Sequence, residues 1–436
     1  MNNDFDQIMG EINHVLGHET YTAESLLSLY KKAYVRLTKD FSHYAAYLIA
    51  LKAINIIVSE NEKKLRKTKI ANRPMGLIVD PANGCLLNCP GCVHTLSKNN
   101  PFDWPNGILP KETFKKFLDI YGPYACSAYL YNYGEPFLHP KMPELIRTAK
   151  NYLMGASISS NLASKQLDCK EIVLSGLDYL LVSLDGVSQG VYSTFRRNGD
   201  VETVFNNLRS LIAFKKETGS HRPWIAWRYL VFEHNYCEID AAKEIATSIG
   251  VDELLLANPW SVAYDDPSIV VKEDYKAERL AFSPWRSFFA EDVSALPVIS
   301  EDQLDFTLFE NIIPTPVQKG KDVPASACNF LYSSITMDAN CRILPCCAPP
   351  STGVDLVYDT FTGNNYSWNN ETFVNVRTNA FSQAGKPEGI DTPHCYKCLA
   401  GKSAGLFDTP SNGFNYFAQM GHVGIRNFAD ILKTEA

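Results

Sequence analysis

Three cysteines fall within eight positions of the stretch "NGCLLNCPGCVHTL", residues 83–96: Cys85, Cys89 and Cys92, separated by three and then two residues. Thiolates are soft ligands that suit zinc and iron–sulfur clusters, and three on one short loop can grip one face of a cubane while leaving its fourth corner open. A closed structural zinc site wants four ligands, and the nearest local addition is His94. A second group, Cys328, Cys341, Cys346, Cys347, Cys395 and Cys398, lies in "ACNFLYSSITMDANCRILPCCAPP" and "PHCYKC". A zinc ribbon or a second iron–sulfur centre would both use such a set. Cys126, Cys169 and Cys237 stand alone and read as small buried hydrophobes.

Such a loop needs a scaffold to hold it. From Met75 short apolar segments alternate with amphipathic ones: "MGLIVD", "SAYLYN", "ASISS", "YLLVSL", "WIAWRYLVF" and "ELLLA" read as strands. Between them "PKETFKKFLDIY", "KMPELIRTAKNYL", "VETVFNNLRSLIAFKKE" and "EIDAAKEIATSIG" read as helices. The alternation predicts an α/β fold with a parallel sheet, either an open doubly wound sheet or a partial barrel, with ligands at the carboxyl ends of the strands. The first cysteine loop follows the first strand directly, at that end.

The remaining organisation is read as a helical extension over 1–72, an irregular connecting segment over 259–325, a small Cys-rich domain over 326–408 and a tail over 409–436, flanking the α/β domain at 73–258. With 436 residues, 45% of them hydrophobic, the chain can bury a large core, and a net charge of −7 argues against nucleic acid or a membrane surface as partner. The first residues have neither the basic start nor the apolar centre of a secretory signal, and the apolar window Tyr44–Val58 is too short to span a bilayer. These features point to the cytoplasm, where twelve cysteines predict metal chemistry before disulfides.

The Cys-x3-Cys-x2-Cys loop after a first strand resembles the radical S-adenosylmethionine superfamily, and further motifs extend the likeness through the middle of the chain. "YNYGEPFLHP" is similar to that family's Gly-Glu-Pro element, which implies that Tyr133, Gly134, Glu135 and Pro136 meet the amino group of S-adenosylmethionine. "SSNLAS" is similar to its Thr-Asn-Gly element, implying roles for Ser160 and Asn161, with Leu162 where the family has glycine. In "VSLDGVSQGVYSTFRRNGD" the resemblance sets Ser183 at the ribose and Arg196 at the cofactor carboxylate, with Arg197 as rival and Asp185 and Gly186 shaping the turn. It implies a partial (βα)6 TIM-like barrel in which Cys85, Cys89 and Cys92 hold a [4Fe-4S] cluster. In this family the cluster's electron cleaves the cofactor to a 5'-deoxyadenosyl radical that abstracts a substrate hydrogen atom.

The C-terminal cysteines resemble the auxiliary-cluster domains called SPASM or, when shortened, Twitch. That likeness implies a small Cys-rich iron–sulfur domain with one auxiliary [4Fe-4S] cluster on Cys328, Cys346, Cys395 and Cys398. Cys347 could replace Cys346, and Cys341 stands where such hairpins often carry glycine. Cys341 or Cys347 is then a candidate hydrogen-atom donor of the kind used by peptide epimerases. The resemblance implies an external electron donor of flavodoxin or ferredoxin type. The extra segments and the aromatic residues Trp224, Trp227, Tyr229, Trp260 and Tyr264 lean toward a peptide substrate, epimerised or otherwise matured. A Twitch-type oxidation of a carbohydrate or other secondary alcohol is the alternative, and a zinc-stabilised binding module without catalysis a third. No peptide-recognition winged helix or cobalamin-binding domain is visible.

Overall fold

The computed structural model describes residues 23–95, 105–259, 266–284, 286, 288–306, 328–347, 356–379 and 395. Six strands carry the centre of the molecule: β1 (Gly76–Val79), β2 (Ser127–Tyr129), β3 (Gly155–Ser160), β4 (Tyr179–Ser183), β5 (Trp224–Leu230) and β6 (Glu253–Ala257). They lie side by side in chain order, every neighbouring pair parallel. Parallel neighbours require crossovers, supplied here mainly by helices.

Two helices, α1 (Ala23–Leu37) and α2 (His43–Lys64), precede the sheet. The crossover helices are α3 (Lys111–Tyr121), α4 (Met142–Lys150), α5 (Cys169–Leu174), α6 (Gln189–Phe195), α7 (Val201–Thr218) and α8 (Ile239–Ile249). In α7, Val201, Val204, Phe205, Leu208, Leu211 and Ile212 are buried, the spacing of one helical face turned to the sheet, and the helix stops at Gly219 with φ +67°.

The sheet has two distinct faces. Leu77, Val79, Ala128, Leu130, Ile158, Leu180, Val182, Ile225, Trp227, Tyr229, Leu254 and Leu256 join the helices in the main core. Their alternates Tyr179, Leu181, Trp224 and Ala226 form a separate group with Tyr131 and Leu255 on the inner face. This is the partial (βα)6 barrel. Trp227 and Tyr229 are therefore core residues and not a substrate surface, while Trp260 and Tyr264 lie outside the described residues. Cys126 and Cys169 are buried, as lone cysteines usually are, but Cys237 is exposed.

The sheet continues beyond the six strands. An antiparallel strand β7 (Glu278–Ala281) borders β6, and α9 (Phe289–Ala295) follows. After the short α10 (Phe330–Ser333), strand β8 (Ser334–Met337) pairs parallel with β1, Leu77 beside Ile335 and Val79 beside Met337. Strands β9 (Arg342–Leu344) and β10 (Asp359–Thr360) extend it antiparallel, and α11 (Glu371–Asn379) packs Phe373 and Val376 into the main core. The second cysteine region thus shares a sheet with the barrel.

The helical pair α1–α2 has its own core, which takes in Tyr124, Cys126 and Leu153, residues at the amino ends of β2 and β3. Fully buried Lys52 donates to the carbonyls of Gly122 (2.8 Å) and Ala125, and burial pulls its pKa down to about 7. The pair covers the barrel floor, which leaves the carboxyl ends of the strands to the site.

Candidate functional site

Cys85 and Cys92 are half-buried and Cys89 is buried, on the loop that leaves β1. Pro90 and Gly91 occupy the centre of a β-turn closed by Cys92 N donating to Cys89 O at 3.2 Å, with Gly91 at φ +72°. A positive φ at that corner is what glycine supplies without strain, and it returns the chain so that both flanking thiols face one side. The three cysteines pack with Leu87, Phe195, Phe232 and Ile269 in one apolar group.

Donors face the sulfurs. Leu87 N lies 3.4 Å and Asn161 Nδ2 3.6 Å from Cys85 Sγ, and Arg196 Nη1 lies 3.7 Å from Cys89 Sγ. Burial pushes the Cys85 thiol up to about 12 and raises Cys89, which the Arg196 charge opposes. Protein alone therefore keeps these thiols protonated, and a cationic metal centre is what would make thiolates of them. Three thiols, apolar walls and N–H groups aimed at sulfur suit an iron–sulfur cluster. Among the described residues, no three Cys, His, Asp or Glu side chains close on one point as the ligands of a single ion would.

The loop after β2 forms the second wall. A Cβ on Gly134 would lie 1.7 Å from Ala82 O, so only glycine fits there. Asp80, fully buried at the end of β1, accepts from Tyr133 N and Gly134 N at 3.3 Å each, and burial pushes its carboxyl up to about 7. Pro136 begins a single 3-10 turn. Glu135 is buried; it accepts from Ser160 Oγ at 2.7 Å, Asn161 N at 2.9 Å and Phe137 N at 3.2 Å. Glu135, Ser160 and Asn161, named from two separate motifs, thus meet at one carboxylate, whose pKa burial raises. Leu162, in the glycine place, takes a left-handed φ of +50° and is buried.

After β4, Arg196 donates from Nε to Asp185 Oδ2 at 2.5 Å, while Arg197 turns outward to Asp266. Of the two rivals it is Arg196 that faces the cysteines. Asp185 does more than shape a turn, because its other oxygen accepts Leu230 N at 2.6 Å and so fixes the end of β5. Ser183 Oγ accepts from Arg228 Nη2 at 2.8 Å. Sequence reasoning passed over Asp80, Asp185 as an arginine partner, and Arg228. The signal available for Arg228 was a lone cation in the otherwise apolar "WIAWRYL".

In the second cysteine region, burial pushes Cys347 up to about 12, with Cys328 adding to the rise; Cys395 and Cys346 both lie within electrostatic reach of Tyr358. Cys341 sits at the β8–β9 turn with φ +63°, the backbone that favours glycine there, and packs against the main core. Cys398 lies outside the described residues. One tyrosine joins the two regions: Tyr133 Oη donates to Cys347 O at 2.7 Å, and His94 Nε2 bonds Tyr133 O at 2.8 Å. His94 serves the loop contact.

No family model matches the chain. A curated relative from Pyrococcus furiosus, the tungsten-containing aldehyde ferredoxin oxidoreductase cofactor-modifying protein, is 24% identical over 217 residues, 46% of this chain and 59% of that protein. The GTP 3',8-cyclase of Chlorobaculum tepidum is 37% identical over 84 residues, 18% of this chain and 25% of that protein. The aligned regions therefore span a little over half of the first relative and a quarter of the second. Among solved structures, Streptococcus suis SuiB bound to S-adenosylmethionine is 13% identical, covering 68% of this chain and 65% of that chain, TM-score 0.43. For anSMEcpe with bound S-adenosylmethionine the identity is 14%, the coverage 83% and 98%, and the TM-score 0.45.

Proposed function

We propose that this chain is a radical S-adenosylmethionine enzyme that abstracts a hydrogen atom from a peptide and so matures it, by epimerisation or a related change. The observation that carries the reading is that the three loop cysteines share one apolar cluster, with Arg196 and Asn161 donors at the Cys89 and Cys85 sulfurs, and that Asn161 also holds Glu135 together with Ser160. A [4Fe-4S] cluster on Cys85, Cys89 and Cys92 supplies, when bound, the electron that cleaves S-adenosylmethionine and the open iron that binds it.

The chain's own residues do the rest. Glu135, with the carbonyls of its loop, receives the cofactor ammonium, since a carboxylate among donors that fix its direction is a preset acceptor. Arg196 balances thiolate charge at Cys89 and offers the rest of its fork to the cofactor carboxylate, with Asp185 setting its angle. Phe195, Phe232 and Ile269 exclude water beside the sulfurs. Cys328, Cys346 or Cys347, Cys395 and Cys398 would hold the auxiliary cluster, and Cys341 and Cys347 are the candidate hydrogen donors. A flavodoxin- or ferredoxin-type protein supplies the electrons.

An extended substrate is consistent with the sheet, which among the described residues is a linear array of ten strands with β7 and β10 at its edges. The runner-up is oxidation of a small secondary alcohol; its small-molecule substrate, though not its oxidation chemistry, is in keeping with the names of the two sequence relatives, one for a cofactor and one for GTP.

Anaerobically reconstituted protein is expected to bind about eight irons, two four-iron clusters, and to lose about half of them when Cys85, Cys89 and Cys92 are all changed to alanine. Turnover in deuterated water separates the readings. Deuterium at a peptide α-carbon supports epimerisation, loss of two hydrogens supports oxidation, and colourless protein holding only zinc would overturn both. Full turnover in a Cys341→Ala, Cys347→Ala double variant would end the epimerase version.

A further inference from the structure

We infer that Arg228 is an anion anchor on the inner wall of the barrel and takes a carboxylate of the substrate. The inference rests on the peptide reading and narrows it: the peptide must present an aspartate or glutamate side chain, or its C-terminus, to this wall.

Placement follows from register. On β5 the residues Ile225, Trp227 and Tyr229 belong to the main core, and Trp224 and Ala226 to the inner-face group. Arg228 shares the inner face with the latter. Ser183 stands directly beside it on β4 and receives Nη2 at 2.8 Å. The Nε atom is sealed from solvent and has no hydrogen-bond partner, and Nη1 has none among the described residues.

The carboxylates of the same region are already committed. Glu253, two positions deeper on the inner face, pairs with Arg279 and accepts from Trp224 Nε1 at 3.2 Å. Asp185 holds Arg196 and Leu230 N, and Glu135 holds Ser160 and Asn161. Arg228 makes no ion pair with any described residue. A guanidinium whose Nε is buried without a partner is poorly compensated, and a carboxylate at its terminal nitrogens offsets that cost better than any neutral group. The cofactor motifs stand at the carboxyl ends of β1 to β4 and on the loops that follow, and Arg228 on β5 touches them only through Ser183 at Nη2. An anion on its other donors is held beside the cofactor.

The test uses the full-length, cluster-loaded protein with S-adenosylmethionine present, titrated calorimetrically with glutarate as a side-chain mimic and glutaramide as the uncharged control. Wild type is expected to bind glutarate, Arg228→Gln at least tenfold more weakly, and glutaramide equally poorly in both. Should that variant not fold, phenylglyoxal labelling of the wild type keeps the inference testable: glutarate, and not glutaramide, should protect Arg228 in mass mapping. Absent or unchanged glutarate binding, or unprotected labelling, overturns the anchor. So does a variant that loses affinity for S-adenosylmethionine while keeping it for the decarboxylated form, because Arg228 would then serve the cofactor. Failure of the peptide reading would show separately, as an absence of any modified peptide with glutarate binding intact.

Discussion

At Gly134 the chain permits no side chain, since a Cβ would fall 1.7 Å from the Ala82 carbonyl, a contact between two backbones that no rotamer relieves. Gly134→Ala must move the β1 or β2 loop, so S-adenosylmethionine binding should be lost and the melting temperature lowered by several degrees, consistent with a cost of roughly 2 kcal/mol or more; calorimetry and thermal melts read both. Asp80 behind it gives a pH prediction. Burial lifts its carboxyl from 3.8 to about 7, against the pull of the Tyr133 and Gly134 amides. Because the folded value is the raised one, the stability this group contributes is full below about pH 4 and is lost as pH climbs through about 7. Asp80→Asn, neutral throughout, should gain on wild type as urea midpoints are followed from pH 5 to 8; parallel curves would refute it. The cysteine loop was readable from its spacing, whereas Glu135, Asn161 and Arg196 were expected only through the family resemblance, and the structure brings Asn161 to Glu135 and Cys85 and Arg196 to Cys89. Asp80, Asp185 and Arg228 were not legible, because each acts through a neighbour brought near only by strand register.

The strands show the same division one level up. "ELLLA" and "YLLVSL" predict β6 and β4 within a residue of their observed ends, since a buried parallel strand is an apolar run bounded by turn residues. The β8 stretch "SITM" is shorter and half polar, and nothing local states that its partner is β1, some 250 residues away. Edge choice is decided by which exposed ladder is free once the first six strands are laid down, a tertiary matter. Ile335, fully buried beside Leu77, tests the pairing. Ile335→Ala should cost about 2–5 kcal/mol in urea unfolding, the range for a core cavity, and a change under 1 kcal/mol would mean that β8 does not pack as described. At the opposite end, Asp292 of α9 meets Lys150 at 2.7 Å and Arg222 at 2.7 Å, both already beside fully buried Asp178. Removing one member of a buried charge cluster strands the others, so Asp292→Ala should cost about 3 kcal/mol by the same measurement.

Across the whole molecule, the helical pair covers the floor, the barrel carries the site, and the second cysteine region is part of the barrel's sheet, with Tyr133 tying its Cys347 loop to the first cysteine loop. A domain on a tether would unfold by itself, whereas strands in one ladder open together, because separating β8 from β1 bares both hydrogen-bonding edges and the apolar side chains above them. Native-state hydrogen exchange should therefore show the amides of residues 76–79 and 334–337 losing protection at the same denaturant concentration, close to that of global unfolding. If 334–337 exchanged well before 76–79, the C-terminal strands would be an independent unit and the Tyr133 contact only a surface touch. If they exchange together, the cysteine region moves only with the barrel. Damage to β8 would then reach the loops after β1 and β2 that we propose hold S-adenosylmethionine, so Ile335→Ala should weaken cofactor binding as well as stability although the residue lies in none of the proposed cofactor motifs.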